Sequence, residues 1–222
     1  MAAPGTVSQE IKDILAGNGR ELSSIEGNIL SMAGNGRDIK TLLVTSCHPR
    51  EGKTLSAISI AYGLFKETNL KVLLVDGNLR APRLNALFSV AGEPGFADFV
   101  MKDASNVFRE TEFENFMVMP HGSAITNPLD IYRSPLFGGK VEMLRNMFDY
   151  VVFDGAPILG TSDMSVAARH FDGVLVVLEC EKTKWEVLEM AVTKIRKLRG
   201  NVIGTVMNRR KYYIPRYLYG KI

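Results

Sequence analysis

Short apolar segments alternate with longer amphipathic segments from residue 41 to residue 208. Strands are predicted at residues 41–46, 71–75, 116–119, 150–154, 173–178 and 202–207. Helices are predicted at residues 53–67, 95–101, 135–147, 162–170 and 183–198. The last helix carries a stripe that is expected to face the core, formed by Leu188, Ala191, Val192, Ile195 and Leu198. Strands that are apolar on both faces and alternate with amphipathic helices indicate an α/β fold, a doubly wound, mainly parallel sheet flanked by helices.

The first 37 residues differ from this alternation. The segment Ala16–Arg20 reads Ala-Gly-Asn-Gly-Arg and recurs as Ala33–Arg37, and its Asn-Gly pairs indicate turns. Between them, Glu21–Met32 has the length of a helix and places apolar residues on one face at Leu22, Ile25, Ile29 and Met32. One interpretation is a short amphipathic helix between two turns, and the other is a docking arm for another subunit.

Composition narrows the class of protein. A chain of 222 residues suits one domain, and its 46% hydrophobic and 23% charged residues are ordinary for a globular protein. The net charge of +3 is too small to indicate nucleic acid, so no nucleic-acid partner is expected. Two cysteines make no disulfide framework, which favours a reducing, cytoplasmic setting. No apolar run approaches the roughly 18 residues that span a bilayer. Recruitment to the inner face of the plasma membrane would therefore need a partner or a surface patch.

Residues 46–54 form the first motif that points to chemistry, reading Ser-Cys-His-Pro-Arg-Glu-Gly-Lys-Thr directly after the first predicted strand. A buried strand followed by a Gly-Lys-Thr turn and a helix is typical of a phosphate-binding loop. Backbone N–H groups of such a turn surround phosphate oxygens, Lys53 adds a positive charge, and the Thr54 hydroxyl can ligate Mg²⁺. Cys47 stands where the G-x-x-x-x-G-K-[ST] pattern has its first glycine, and a chance Gly-Lys-Thr in a surface loop is the alternative. The predicted nucleotide-binding residues here are Cys47, His48, Pro49, Arg50, Glu51, Gly52, Lys53, Thr54 and Leu55.

Two further predicted strands end in an aspartate, Asp76 and Asp154. A carboxylate at the end of a buried strand is destabilising unless it is paired or coordinates a cation. Either aspartate alone is more often a turn or helix-cap residue. Both together, beside Lys53 and Thr54, favour a metal–phosphate site, because oxygen ligands suit Mg²⁺. Thr54, Asp76 and Asp154 are therefore the predicted metal ligands.

The last eleven residues combine aromatic and basic side chains. Four of the seven tyrosines of the chain lie there, at Tyr212, Tyr213, Tyr217 and Tyr219. The basic residues among and before them are Arg209, Arg210, Lys211, Arg216 and Lys221. Such a tail packs on a partner, contacts a membrane surface through its aromatic and basic residues, or presents phosphoryl acceptors to an active site. Composition alone favours the first two interpretations.

With these residues in view, the chain resembles the bacterial tyrosine kinases of capsule and exopolysaccharide synthesis, within the MinD- and ParA-type P-loop ATPases. The resemblance covers residues 38–219. Residues 46–54 resemble the Walker A motif, and Val75–Arg80 with Pro82 resembles the Walker A′ motif that marks the family. Asp154 with Pro157 resembles the Walker B motif. Gly122, the run Asn127–Leu129 and Ser134 resemble a family fingerprint whose mechanism the sequence does not explain. The tyrosine-rich tail is the most specific single feature.

The resemblance implies roles for the matching residues and divides the chain. Lys53 would hold the β- and γ-phosphates of ATP, Thr54 and Asp154 would bind Mg²⁺, and Asp76 would act as general base toward a tyrosine hydroxyl. Asn208 resembles the residue that recognises adenine, and the tail tyrosines would be phosphorylated in trans by a neighbouring subunit. The implied partners are a membrane polysaccharide co-polymerase (Wzz-like) that activates the kinase and further copies of the chain. The expected division is an N-terminal helical arm (1–37), a nucleotide-binding kinase domain (38–208) and a tyrosine-rich tail (209–222).

Three departures from the family pattern keep other functions open. Asn78 stands where a second aspartate is usual, and an amide brings no negative charge to a metal site. Arg50 stands where a glycine is usual in the phosphate-binding turn. The Glu-x-x-Arg-x-x-Arg contact motif of the family is not visible around residues 20–28. The alternatives are a MinD/ParA-like ATPase switch and a catalytically weakened nucleotide-binding regulator.

Overall fold

A seven-stranded sheet forms the centre of the molecule. A computed structural model describes residues 5–9, 11, 12, 27, 29, 31 and 38–210. The strands are β1 (Thr41–Ser46), β2 (Val72–Gly77), β3 (Arg109–Glu110), β4 (Phe116–Met119), β5 (Tyr150–Gly155), β6 (Gly173–Glu179) and β7 (Val202–Asn208). Their order across the sheet is β3-β4-β2-β5-β1-β6-β7, and all neighbours are parallel except β3, which runs antiparallel to β4. The doubly wound, mainly parallel sheet predicted from the sequence is confirmed.

Helices cover the sheet on both sides. They are α1 (Lys53–Thr68), α2 (Leu84–Leu87), α3 (Phe96–Lys102), α4 (Pro128–Arg133), α5 (Pro135–Met147), α6 (Asp163–Ala167) and α7 (Trp185–Lys197). A 3₁₀ turn (Ala168–His170) continues α6. Strands β1, β2 and β5 are buried at every position because each has both faces covered.

Two hydrophobic clusters fill the space between sheet and helices. Leu43 of β1 belongs to one cluster, whereas its neighbours Leu42 and Val44 belong to the other, as the alternation of side chains along a strand requires. The first cluster includes the aromatic side chains of Phe96, Phe137 and Phe153. The second includes most of the apolar face of α1.

Described residues of the N-terminal segment pack on the second cluster. Val7, Ile11 and Ile29 are buried in it, and the Gly5 N–H donates to the Glu110 carbonyl at 2.9 Å. The predicted helix face at residues 21–32 lies outside the described residues apart from Ile29, and the repeated Asn-Gly turns lie outside them entirely. The boundary predicted at residues 37/38 stays a prediction.

Most predicted elements recur within one or two residues of their predicted bounds, and the differences have physical reasons. Leu198 was predicted to face the core, but it is 42% exposed. Helix α7 ends at Lys197, so the 3.6-residue period that placed Leu198 inward no longer applies at that position. Elements β3, α2 and α4 were not predicted, because they contain only two, four and six residues. Within the described part of the chain, no helix combines the length and apolarity that crossing a bilayer requires.

Candidate nucleotide-binding site

The carboxyl ends of three adjacent strands bring the predicted site residues together. β5 lies between β2 and β1, and Asp154 on β5 is directly paired with Asp76 on β2. β1 ends at Ser46 and leads into the predicted phosphate-binding loop, after which α1 begins at Lys53. Ligands of open α/β sheets bind at this edge. The predicted phosphate loop and both predicted carboxylates therefore share one edge of the sheet.

The loop between β1 and α1 is held by its own side chains. The Ser46 hydroxyl donates to the His48 carbonyl at 2.7 Å, and the Glu51 carboxylate accepts a hydrogen bond from the His48 N–H at 2.8 Å. Glu51 is 4% exposed, and its other carboxylate oxygen accepts a hydrogen bond from the Thr183 hydroxyl in the loop before α7. Glu51 thus fixes the shape of the turn and connects it to the β6–α7 loop.

Two residues of the turn adopt left-handed backbone conformations. Gly52 has φ = 93°, which strains any residue with a side chain, and an added Cβ would lie 1.8 Å from Nδ2 of Asn208 and displace it. Arg50 has φ = 69°, a conformation that is unfavourable for a residue with a side chain. The turn at Arg50 therefore has the backbone that a glycine would adopt easily, although this chain carries an arginine.

Asn208 closes the loop from the side of β7. Its Nδ2 donates to the Glu51 carbonyl at 2.9 Å, and its Oδ1 accepts from the Arg209 N–H at 2.9 Å. The residue predicted to recognise adenine therefore lies against the phosphate-binding turn. Its role toward adenine stays a prediction.

The remaining loop residues differ in exposure. His48, Pro49 and Arg50 are exposed, and Leu55 is half-buried. The Cys47 thiol is fully buried in the first hydrophobic cluster, and burial raises its pKa to about 11. Cys47 therefore offers only its backbone to a phosphate, and its thiol is not the reactive group that an exposed position would create.

Asp154 has a buried and unsatisfied carboxylate. The residue is 1% exposed, and both carboxylate oxygens are buried without a hydrogen-bond partner. Burial raises its pKa to about 7 and the neighbouring Asp76 raises it further, whereas the positive charge of Lys53 and the nearby Thr54 hydroxyl, which does not reach hydrogen-bond geometry, oppose this. Buried polar groups in proteins are almost always satisfied, so an unpartnered pair of oxygens here indicates a missing ligand. A divalent cation that prefers oxygen ligands fits this place, because the hydroxyl of Thr54, in the first turn of α1, lies beside it.

Asp76 is buried but hydrogen-bonded. One carboxylate oxygen accepts from the backbone N–H groups of Arg83 and Leu84, each at 2.9 Å, at the start of α2. Burial raises its pKa to about 6, while these hydrogen bonds and the charge of Lys53 lower it. Asp76 thus caps the start of α2, as an aspartate at the end of a strand often does, and it also lies close enough to Lys53 to feel its charge. A carboxylate whose pKa lies near 6 is a better proton acceptor than an ordinary aspartate.

Lys53 and Thr54 begin α1 and are almost completely covered. They are 8% and 7% exposed, and Lys53 makes no ion pair within 4 Å in the described part of the chain. Its charge acts on both Asp76 and Asp154 through space. A buried ammonium and two buried carboxylates at one sheet edge suit a metal–phosphate ligand.

Asn78 turns its side chain away from a ligand role. It is 5% exposed, and its amide donates to the Ala81 carbonyl at 3.1 Å. An amide can donate this bond, whereas an aspartate at the same place could not. Asn78 therefore shapes the loop after β2.

Three residues in or around the same loop received no role from the sequence, although Arg80 lies in the Walker A′ motif. Arg80 forms an ion pair with Asp163, with 2.6 Å between Nε and Oδ2 and 3.2 Å between Nη2 and Oδ1. Tyr132 on α4 is fully buried and donates its hydroxyl proton to the Gly77 carbonyl. Tyr132 lies inside the fingerprint segment, which is the one sequence signal that could have indicated it. Asp163 had no such signal, because its partner lies 83 residues away.

The loop after Asp154 is tied to its surroundings on two sides. The N–H groups of Ile158 and Leu159 donate to the carbonyls of Ser46 and Cys47 at 2.8 and 3.2 Å. From α7, the Lys194 ammonium donates to the carbonyls of Ile158 and Thr161 at 2.7 and 2.6 Å. Charge-assisted hydrogen bonds of this kind are stronger than neutral ones. Lys194 was not predicted, because its contacts are with backbone atoms that a sequence pattern does not reveal.

Comparisons with known proteins agree with this geometry. Residues 50–207 match the AAA domain family. CapB of Staphylococcus aureus is 30% identical over 206 residues, covering 89% of this chain and 88% of CapB. The tyrosine-protein kinase CpsD of Streptococcus pneumoniae is 28% identical over 186 residues, covering 82% of each chain.

Solved structures share the fold. The chimerical protein CapA2B2 superposes with a TM-score of 0.82 at 20% identity, covering 96% of each chain. The septum site-determining protein MinD of Pyrococcus horikoshii, solved with Mg-ADP, gives a TM-score of 0.60 at 21% identity, covering 81% of this chain and 75% of MinD. The family match, the similarity to CapB and CpsD and the loop–carboxylate geometry lead to one assignment. The chain belongs to the AAA-domain P-loop ATPases and, within them, to the bacterial tyrosine-protein kinases of capsule and exopolysaccharide systems.

Proposed function

We propose that the protein transfers the γ-phosphoryl group of ATP, with Mg²⁺, to its own C-terminal tyrosines and thereby regulates capsule or exopolysaccharide synthesis. The observation that carries the proposal is the buried, unpartnered carboxylate of Asp154 next to Lys53 and the phosphate-binding turn. A carboxylate in that state is costly to keep unless a cation belongs there. The proposed acceptors Tyr212, Tyr213, Tyr217 and Tyr219 lie outside the described residues.

The proposal gives each side chain at the sheet edge a task. The backbone of residues 47–52 and the Lys53 ammonium would hold the phosphates, and Asn208 would lie against the adenine. Thr54 and Asp154 would hold Mg²⁺, with Asp76 next to them. Bound Mg²⁺ would neutralise charge on the phosphate oxygens during transfer. The hydroxyl and carboxylate oxygens present are the hard ligands that Mg²⁺ prefers.

Asp76 would take the proton in the transfer step. The phenolic oxygen of the acceptor tyrosine forms a bond to the γ-phosphorus while the bond from that phosphorus to the β–γ bridging oxygen breaks, and ADP leaves. The phenol proton moves to the Asp76 carboxylate. A phenol has a pKa of about 10 and needs a base to ionise near neutral pH. The Asp76 carboxylate, with its pKa raised to about 6, is ionised at neutral pH and can accept this proton.

Partner interactions are part of the proposal. Phosphorylation of the tail would occur in trans within a self-associated form of the protein. A membrane polysaccharide co-polymerase of the Wzz-like kind would activate it.

The test is incubation of the purified protein with labelled ATP and Mg²⁺, followed by mass spectrometry of the tail. Label should appear on residues 212–219, and Lys53→Met and Asp154→Asn should each abolish it. Replacing the four tail tyrosines by phenylalanine should remove the label, whereas Tyr62→Phe, a matched change on α1, should not. ATP consumption with an unlabelled tail would overturn the kinase proposal and match the MinD/ParA-like switch. Nucleotide binding without turnover would overturn it as well and match a regulatory module.

A further inference from the structure

The loop between β2 and α2 determines the direction of the Asp76 carboxylate. This loop leaves the strand at Gly77 and returns so that the N–H groups of Arg83 and Leu84 point at one Asp76 oxygen, each at 2.9 Å. Inside the loop, the Asn78 amide and the Ala81 carbonyl form a hydrogen bond of 3.1 Å. If the loop shifts, the two donors shift with it, and the carboxylate loses its fixed orientation.

Two side-chain contacts hold this loop from outside. The Tyr132 hydroxyl donates to the Gly77 carbonyl at the start of the loop. In the middle of the loop, the Arg80 guanidinium donates to both carboxylate oxygens of Asp163, at 2.6 and 3.2 Å. The Asp163 side chain is only 2% exposed, whereas that of Arg80 is 44% exposed. A bidentate guanidinium–carboxylate pair fixes orientation as well as distance.

The fingerprint segment builds one of these supports. Asn127 caps α4 by accepting a hydrogen bond from the Leu129 N–H, and Pro128 occupies the first turn, where its missing N–H is harmless. The short helix so started places Tyr132 under Gly77. Helix α6, which begins with Asp163, packs on α4. The Asn127–Leu129 part of the fingerprint therefore acquires a physical explanation, because it starts the helix that carries the buried hydroxyl.

We propose that Arg80, Asp163 and Tyr132 are positioning residues for Asp76, which hold the β2–α2 loop so that the carboxylate faces the acceptor tyrosine. This inference rests on the proposed function, since it assigns Asp76 the role of base. The three residues act through the loop and do not touch the phosphates. Their loss should therefore slow the transfer step and leave nucleotide binding at the β1–α1 turn intact.

The test uses the full chain with the variants Tyr132→Phe, Asp163→Asn and Arg80→Met. Autophosphorylation should show kcat lower by about 10- to 100-fold, the effect of a small displacement of a catalytic group. The KM for ATP and the Kd for ADP should stay within about threefold, because uniform binding is preserved. The Arg80→Lys variant should be faster than Arg80→Met but slower than the wild type, since lysine keeps the positive charge and loses the bidentate contact with Asp163. The Arg80→Met/Asp163→Asn double variant should match the worse single variant, because both residues act through one contact.

Lys102→Met is the matched control. Lys102 is an exposed cation paired with a buried carboxylate, Asp98, at 2.9 Å on α3. Its loss removes an ion pair between an exposed cation and a buried carboxylate, as at Arg80–Asp163, but away from the β2–α2 loop. Its kcat and KM should equal those of the wild type.

Amide hydrogen exchange at Leu84 supplies a readout that does not depend on kinase activity. This N–H is held by Asp76, so its exchange should accelerate by about tenfold or more in Tyr132→Phe and Asp163→Asn and stay unchanged in Lys102→Met. Unchanged exchange at Leu84 in both variants would overturn the positioning role. So would a parallel loss of kcat and ADP affinity, because it would mean that the whole site had collapsed. If the wild-type protein phosphorylates no tyrosine, the proposed function is wrong. The exchange measurement at Leu84 would still decide whether the three residues position Asp76.

Discussion

Two buried carboxylates near the site, Asp154 and Asp163, should respond to replacement by asparagine with opposite changes in stability. Asp154 is 1% exposed and its oxygens have no hydrogen-bond partner, whereas Asp163 is equally buried and paired with Arg80. The pKa of Asp154 is raised from 3.8 to about 7, which is about three units. At about 1.4 kcal/mol per unit, keeping this carboxylate ionised above pH 7 disfavours the folded state by about 4 kcal/mol.

Asp154→Asn removes the charge and keeps the shape. The new amide is itself buried without a partner and retains about 1–3 kcal/mol of desolvation cost. The free energy of unfolding at pH 8, without divalent cations, should therefore rise by about 1–3 kcal/mol. Asp163→Asn should lower it by about 1–3 kcal/mol, because it breaks a buried, hydrogen-bonded ion pair whose arginine can still reach solvent.

The pH dependence follows from the direction of the shift. A carboxyl group whose folded pKa lies above its unfolded pKa binds protons more tightly when folded, so its destabilising effect fades as pH falls through the folded value. The advantage of Asp154→Asn over the wild type should shrink between pH 8 and pH 5. Asp76, with its pKa raised to about 6, remains in both proteins, and in Asp154→Asn it also loses the repulsion from the Asp154 charge, which adds to the advantage of the variant above pH 6.

Urea unfolding followed by circular dichroism at pH 8 and pH 5.5 measures these differences. Addition of Mg²⁺ and ADP should stabilise the wild type and Asp163→Asn, and should have little effect on Asp154→Asn. The reasoning is refuted if Asp154→Asn is destabilised at pH 8 as strongly as Asp163→Asn. That result would mean that Asp154 has a favourable partner in the protein without a cation.

Three further substitutions or reactions test other features of the site. Arg50→Gly should raise stability by up to about 1 kcal/mol in urea, because glycine adopts φ = 69° without strain, although it loses more chain entropy on folding. A thiol reagent under native conditions should label Cys180 and spare Cys47, because Cys47 is buried and burial raises its pKa to about 11. Label on Cys47 in a peptide map would contradict this. Asn78→Asp should lower stability by about 1–3 kcal/mol, because it replaces the donor to the Ala81 carbonyl by a buried charge, and unchanged urea midpoints would contradict this.

The sheet and the meeting of its carboxylates were predictable from the sequence because they depend on local patterns. Strands with apolar residues at every position can only be buried on both faces, and the carboxyl ends of parallel strands meet at one edge. From these two facts, the proximity of Asp76 and Asp154 to the Gly-Lys-Thr turn follows. The register that pairs Asp76 directly with Asp154 adds detail to this prediction.

What the sequence did not reveal depends on contacts between distant segments. Arg80 and Asp163 are 83 residues apart, and neither lies in a pattern that requires the other. Tyr132 lies on a six-residue helix, which is too short to show a period, so nothing indicated that it points at Gly77. The inward prediction for Leu198 failed for a related reason, since a period holds only as far as its helix extends.

The Glu51 carboxylate competes with a phosphate group for a backbone N–H of the phosphate-binding turn. Its carboxylate engages the His48 N–H, one of the donors that an incoming phosphate group would use. An anion that bound the His48 N–H would displace this side chain and would also break the hydrogen bond from the Thr183 hydroxyl. Occupancy of the turn would thus be transmitted to the start of α7, where Trp185, 71% exposed, lies two residues after Thr183. Trp185 is the single tryptophan of the chain, so its fluorescence would report a displacement of Glu51 and Thr183.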